Sequence, residues 1–513
     1  MASTVTNIWT TMLGSSAYNE GARISIGADG SIYISGGKLG TTSETDSYLT
    51  KYSTSGQKIW TKSYVTTNNE LGSYPSVGSD GSIYLTGGVT GDFWGVTNNG
   101  SYDAYISKYN SEGKAVWDIL FGTSTSDFST GITTSTDGFI YIVGITLGSP
   151  DGQVNNGGVG DGFLVKYSAD GAKIWTRLFG TNQIDIPTAV KTASDGSIYI
   201  TGVTAGSFGG TLSGPTDVFL TKYSSTGTKL WTKQFGSSVS DSSGGITIGL
   251  DGSVYVTGST GGSIDGLTHS GGNDVFISKY TPDGAKIWTK LLGTSGEDSA
   301  VSITTGIDGS IYIAGTTAGS LDGKINKGDT AGFLAKYSAD GAKIWVELID
   351  TSSEDNALSV ATSFDGSIYV SGYTEGQLNG QNVVGSDIYL AKFQSTNITK
   401  TVSSLSVIVD KGIIGSSAVL LKNLIETSTY TDGVITSQVI EYAGSKFNYS
   451  DIDKLITTVT RDGDFTTEFR KEVADLLPAA ANFSYQDTVK LVGIANIDNV
   501  VLYVAGADGN FVG

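Results

Sequence analysis

Short apolar runs alternate with turns rich in Gly, Ser and Thr along most of this chain, and the alternation repeats. The unit around Asp308 shows the pattern. "AVSITTG", "SIYIAG", "GFLAKYS" and "AKIWVELI" are four runs of strand length, rich in β-branched and aromatic residues. In the second run Ile311 and Ile313 fall on one face, Tyr312 and Ala314 on the other. A sheet covered on one side alternates apolar with polar residues. One that is apolar on both faces must be covered twice.

Three markers carry the unit in a single phase. The Asp of "DG" stands at Asp29, Asp80, Asp137, Asp195, Asp251, Asp308 and Asp365. A Trp recurs at Trp9, Trp60, Trp117, Trp175, Trp231, Trp288 and Trp345, and a Lys at Lys51, Lys108, Lys166, Lys222, Lys279, Lys336 and Lys392. Four-stranded sheets set face to face around an axis bury both faces of each sheet. The expected fold is therefore an all-β, seven-bladed β-propeller over residues 1–395. A stacked solenoid is the alternative, but its repeats are usually shorter and need polar caps. Trp9 belongs to a fourth-type strand with no first three before it, and the last unit stops after three strands, near Phe393. Residues 5–13 are expected to complete the last blade and so remove two sheet edges.

Turn chemistry orients each blade. Tight "DG" hairpins join strands one and two, and strands three and four in copies such as "YSADGAKIW". The longer connections, from strand two to three and from strand four to the next blade, share the opposite face. That variable face is the better candidate for binding.

The period stops near Gln394. Residues 396–406 read as a linker and 407–513 as a small α+β domain. Helices are expected within 417–428, 450–461 and 466–477, the second capped by Ser450 and the third stopped by Pro478. "LSVIVD", "VITSQVIEYAG" and "NVVLYVAG" are expected strands.

Composition narrows the function. Charged residues are 16% of the chain and the net charge is −19. Such a surface repels phosphate backbones, so no nucleic-acid partner is expected. With no Cys, disulfides and thiolate metal sites are excluded. No apolar run is long enough for a membrane span, and "MASTVTNIWTTMLG" is not a cleavable secretory signal.

The motifs "DGSIYI", "KYSADGAKIWT" and "GSxDGxxNxG" resemble the SBBP family of bacterial β-propeller repeats, over about residues 5–395. The resemblance implies a surface or exported protein and no common catalytic set. The first copy departs in its shortened loop "GGKLGTTSETD", and the sixth has Ala331 where the others place Asp.

Ten residues before each "DG" Asp lies a second set: Asn19, Glu70, Asp127, Asp185, Asp241, Asp298 and Asp355. Read functionally, its six acids form a carboxylate ring near the axis that concentrates cations, Ca²⁺ first among them. Read structurally, each carboxylate caps backbone N–H groups or pairs with the next blade, and a residue serving every blade usually serves the fold. A third recurrent set opens strand three: Asp46, Asp103, Asp161, Asp217, Asp274 and Asp387. Departures from the repeat single out Phe93 and Trp94 as a stacking platform for a sugar or a protein partner, or else as an inward-packing loop anchor. His269, the sole His, joins them as a loop-face candidate, against a plain solvated loop residue.

Catalytic equipment is sparse. One His cannot build a multi-His metal site, and a sialidase-like Arg cluster is missing from a propeller holding only Arg23 and Arg177. The leading expectation is a non-enzymatic surface or exported propeller that binds a protein or glycan through the variable face. Two alternatives stand: a polysaccharide-acting enzyme using axial carboxylates, and an assembly protein that oligomerises through the C-terminal domain.

Overall fold

The computed structural model describes residues 5–395, apart from 16–18, 40–44, 65–67, 159, 381–382 and 384. Beyond these it describes the backbone of 398–409, 419–431, 434–442, 445–448, 489–491 and 500–504. The chain divides into two compact units: residues 1–363 with 367–394, and 395–513 with 364–366.

The first unit is a seven-bladed propeller. Blade 6 is typical, with strands Asp298–Thr305, Ile311–Thr317, Ala331–Tyr337 and Lys343–Ile349 paired in chain order. Blades 1 to 5 span residues 19–64, 70–121, 127–179, 185–235 and 241–292 in the same order. Blade 7 is assembled from both ends of the propeller. Val5–Ser15 pairs with Asp387–Ser395, followed by Ser367–Thr374 and Asp355–Thr362. The N-terminal strand thus closes the ring, as expected.

Both faces of each sheet are buried, as the doubly apolar second strands require. Ile311 and Ile313 pack toward blade 5, with Val275 and Ile277. Tyr312 and Ala314 pack toward blade 7, with Val370 and Tyr389. The ring closes on an apolar layer in which Ile32, Ile34 and Tyr52 of blade 1 meet Tyr369, Ile388 and Leu390 of blade 7. Ser371 Oγ donates to the Ala22 carbonyl across that seam at 2.8 Å.

The three markers form one inter-blade latch. In blade 5, Tyr255 packs on Trp288 with ring centroids 5.9 Å apart, and Lys279 lies over the Tyr255 ring. The Lys279 ammonium binds Asp251 at 3.0 Å and donates to the Ala339 carbonyl of blade 6, also at 3.0 Å. Lys51, Lys108, Lys166 and Lys222 reach the same turn of the following blade, at Ser111, Ala169, Ser225 and Pro282. The Trp of one blade also rests on the turn glycine of the next. A Cβ on Gly284 would come within 3.0 Å of the Trp231 ring. The recurrent Lys and Trp thus hold the fold together.

The second unit contains a six-stranded sheet in the order Ser445–Asn448, Val434–Tyr442, Val419–Thr431, Ile398–Val409, Val500–Val504, Val489–Leu491. Leu405–Val409, Val434–Tyr442 and Val500–Val504, the described parts of the strands expected at "LSVIVD", "VITSQVIEYAG" and "NVVLYVAG", lie within it. Two expectations are corrected. The proposed linker 396–406 contributes most of Ile398–Val409, and the helix expected within 417–428 is strand Val419–Thr431. Apolar spacing at Leu420, Leu421, Leu424 and Ile425 mimics a helix, but pairing with Ile398–Val409 over nearly its whole length decides the state. The other two expected helices lie outside the described residues, so the α+β class is not addressed. Among the described residues, no helix is long and apolar enough to cross a membrane.

Candidate functional site

The long connection from strand two to strand three builds the variable face, and it is pinned the same way in several blades. A buried side chain anchors it: Phe93, Pro150, Phe208, Ile264, Leu321 and Leu378 occupy equivalent places. The next residue turns the chain through a left-handed conformation: Asp151 (φ 53°), Asp265 (φ 52°), Asp322 (φ 53°) and Asn379 (φ 52°). Short polar side chains tolerate this conformation best. The turn aims each carboxylate at the first residue of strand four. Asp151 grips Lys173 at 2.6 Å, Asp265 grips Lys286 at 2.7 Å, and Asp322 grips Lys343. In blade 7, Asn379 reaches Thr10 Oγ1 at 2.7 Å.

Blade 2 departs from this design on both sides. Trp94 takes the left-handed position, at φ 49°, and Ala115 takes the register position of the lysines. The indole is 59% exposed. Phe93, by contrast, is fully buried, its ring tilted against Tyr105 with centroids 4.9 Å apart. The expected two-ring platform is therefore corrected: the left-handed turn sends the neighbours in opposite directions, Phe93 inward as a loop anchor and Trp94 outward. His269 is half-buried at the place equivalent to Asn155 and Asn326, in blade 5. It and Trp94 belong to different blades and form no joint site.

The axis holds a channel of about 420 Å³, lined by the first strand of every blade. Its walls are Ser, Thr, Gly, Pro75, Tyr74 and aliphatic residues, with two charges, Arg23 and Lys191. Arg23 lies over the Tyr74 ring at 5.3 Å and donates to the Leu358 carbonyl. Lys191 reaches solvent inside the channel, and desolvation by the enclosing walls holds its pKa below the usual lysine range.

The acids expected around the axis do not line this channel. Glu70, Asp127, Asp185 and Asp355 are 0% exposed, and Asp241 and Asp298 1%. Each Asp opens the first strand of its blade and caps the loop before it. Asp298 accepts from Thr294 N at 2.6 Å and Oγ1 at 2.9 Å, and Asp127, Asp185 and Asp355 repeat this with Thr123, Thr181 and Thr351. Asp241 accepts from Ser237 N. The open cation-collecting ring is thus replaced by buried caps. Burial, the largest influence, pushes Asp127, Asp241, Asp298 and Asp355 above the usual carboxylate range. Among the described residues no group of three or more His, Cys, Asp or Glu gathers as a metal cluster.

Sequence reasoning did not find Lys191 as a channel residue. Its signal was available: Lys191 stands where other inner strands carry Ser76, Thr133, Thr247, Thr304 or Ala361.

No protein-family model matches the chain, so the SBBP likeness rests on its motifs. A regulatory protein, FlaEY, of Caulobacter vibrioides is 27% identical over 370 residues, covering 64% of this chain and 38% of that protein. An uncharacterized WD repeat-containing protein of Acanthamoeba polyphaga mimivirus is 25% identical over 375 residues, covering 54% of this chain and 27% of its own. The chain thus spans well under half the length of either relative. Among solved structures, a protein of unknown function from Dyadobacter fermentans aligns with TM-score 0.44 and 11% identity, covering 76% of this chain and 99% of that one. The Neurospora crassa Pan2 WD40 domain aligns at 0.43 and 8%, covering 76% and 95%. The polysaccharide lyase Uly1 aligns at 0.42 and 14%, covering 74% and 91%. The propeller assignment rests on sheet order and closure in this chain.

Proposed function

We propose that the propeller is a non-enzymatic binding module that holds a protein partner or a glycan on its variable loop face, with Trp94 as anchor. One paired departure carries the reading. Where blades 3, 5 and 6 lock the loop with an Asp and a Lys, blade 2 spends a strained position on an exposed indole. A left-handed backbone at a bulky residue costs about 1–3 kcal/mol and recurs at functional sites. Trp also leads the residues that anchor interfaces, and its flat ring suits stacking.

The alternative of glycoside chemistry needs carboxylates that meet a substrate. Asp241 and Asp298 are 1% exposed and hydrogen-bonded to their own loops, which weighs against them as catalysts. The same reading puts the chain at the cell surface or outside the cell, which fractionation checks. It also assigns residues 400–513 to any oligomer contact, which light scattering of the truncated chain checks.

The test is a glycan array and a surface pull-down with wild type and Trp94→Ala. The expected result is a ligand whose binding weakens at least about tenfold in the variant, the loss typical of a hot-spot residue. A ligand held equally well by both proteins would overturn the assignment of Trp94.

A further inference from the structure

The buried acids that open strand one do not stand alone. Asp127, Asp185, Asp241 and Asp298 each face the acid that opens strand three of the preceding blade. A backbone hydrogen bond across the interface fixes the pairing: Asp127 N donates to Tyr102 O at 2.8 Å, Asp185 N to Gly160 O at 3.1 Å, and Asp298 N to Asn273 O at 2.7 Å. This sets Asp127 beside Asp103, Asp185 beside Asp161, and Asp298 beside Asp274. Within a blade the row continues through a threonine, as in the register Asp185↔Thr204↔Asp217. The result is a belt of carboxylates around the propeller.

At these three interfaces, as between Asp217 and Asp241, both members of the pair are at most 1% exposed. Oδ2 of each third-strand Asp is satisfied by the loop before it, through Asn99 N, Asn156 N and Ser270 N. Oδ1 of Asp103, Asp161, Asp185 and Asp274 is buried without a hydrogen-bond donor. The Thr146 and Thr317 hydroxyls, which accept from Gly148 N and Gly319 N, also hydrogen-bond the Asp127 and Asp298 carboxylates. None of the six makes an ion pair among the described residues. Two facing buried carboxylates without a counter-charge are costly when ionised. Burial first, and the facing Asp127 or Asp185 as well, push Asp103 and Asp161 above the usual carboxylate range.

The space between the pair is kept open by glycine. A Cβ on Gly180 would lie 2.6 Å from Asp161 Oδ1 and 3.0 Å from Asp185 Oδ2. Gly122 and Gly293 hold the same place against Asp103 and Asp274. The interfaces that break the pattern bring their own donors. Between blades 6 and 7, Ala331 removes one acid, Asp350 replaces the glycine, and the Lys327 ammonium sits 3.2 Å from the new carboxylate. Between blades 4 and 5, Asp217 takes Gln234 Nε2 at 3.0 Å and Gly214 N at 3.2 Å.

We propose that the pairs Asp103/Asp127, Asp161/Asp185 and Asp274/Asp298 each bind one hard divalent cation, of the Ca²⁺ class, between adjacent blades. Carboxylate oxygens supply the charge, and the neighbouring hydroxyls and water complete an oxygen shell. A site with two carboxylates belongs with the weaker extracellular modules, with a Kd of about 10⁻⁴–10⁻³ M. The cation would lie at the base of the variable loops, but the variants that remove it, at Asp161 and Asp274, stand in blades 3 and 5 and Trp94 in blade 2, so its loss and the failure of the Trp94 reading are separable.

The experiment is calorimetric titration of CaCl2 into the chelator-stripped full chain, with thermal melts in CaCl2 and in EGTA. The expected outcome is a melting temperature raised by Ca²⁺ and a stoichiometry near the number of complete pairs. Asp161→Asn and Asp274→Asn should each remove one equivalent, while Asp217→Asn, at the self-satisfied interface, should remove none. The Asn variants keep one carbonyl oxygen to accept the loop N–H that Oδ2 accepts in the wild type, and circular dichroism confirms that they fold. No heat and no melting shift at millimolar CaCl2 would overturn the proposal and leave each pair sharing a proton. So would a stoichiometry untouched by both Asn variants.

Discussion

Asp350 accepts the backbone N–H of Lys327 at 3.2 Å and holds the Lys327 ammonium at the same distance. In other blades the equivalent N–H, from Asn99, Asn156, Ser213 or Ser270, goes to the Asp that opens strand three. Blade 6 has Ala331 there, and its carboxylate arrives instead from the end of strand four. Two substitutions in one copy thus restore one acceptor. Asp350→Gly should cost about 0.5–1.5 kcal/mol, the net worth of one hydrogen bond, because the exposed Lys327 N–H can turn to water. Asp350→Gly combined with Ala331→Asp should recover most of that loss. Urea unfolding of the single and double variants measures it, and equal destabilisation of both would contradict the exchange.

Phe93 and Trp94 are neighbours with opposite duties, which stability measurements separate. Phe93→Ala removes a fully buried ring and should cost about 3–5 kcal/mol. Trp94→Gly relieves a left-handed backbone and should be neutral or stabilising by up to about 1 kcal/mol. A strongly destabilising Trp94→Gly would make the indole a structural support.

The loop latches predict a pH dependence. Burial alone would raise the Asp265 carboxyl, but hydrogen bonds from Lys286 and Thr289 outweigh it and hold the pKa below the usual range. Asp151 is held down in the same way by Lys173 and Thr176. A carboxylate with a depressed folded pKa binds protons more readily when unfolded. Its contribution is complete above the unfolded value of about 3.9 and is lost as pH falls through the folded value. The wild type should therefore lose stability more steeply on acidification than Asp151→Asn/Asp265→Asn. The comparison isolates the latches from the buried acids, whose raised values act with opposite sign. Parallel curves would show that the latches contribute nothing.

Much of the propeller was legible because its determinants are local and repeated. Ile311 to Ala314 announce a strand buried on both faces, and Trp9 without preceding strands announces the closing ladder. The site was less legible because it depends on which way a side chain leaves the backbone. Asp127 and its counterparts do begin the inner strands, but their side chains face the neighbouring blade. Adjacency suggested that Phe93 and Trp94 act together, whereas comparison with Ile264–Asp265 and Leu321–Asp322 would have separated them. Leu420 to Ile425 misled because their apolar spacing suits a helix, while the partner strand Ile398–Val409 is distant in kind from any local signal.

Ring closure is the claim on which blade number, face assignment and inter-blade pairing all depend, and the cysteine-free chain allows a direct measurement. Thr10 and Asn379 touch across the closing blade at 2.7 Å, 369 residues apart in sequence. Thr10→Cys/Asn379→Cys, treated at low concentration with a short bismaleimide and resolved by peptide mass mapping, should yield an intramolecular bridge between the two cysteines, and each single variant should yield none. Unbridged monomer, or links formed only between molecules, would contradict a propeller closed by its N-terminal strand.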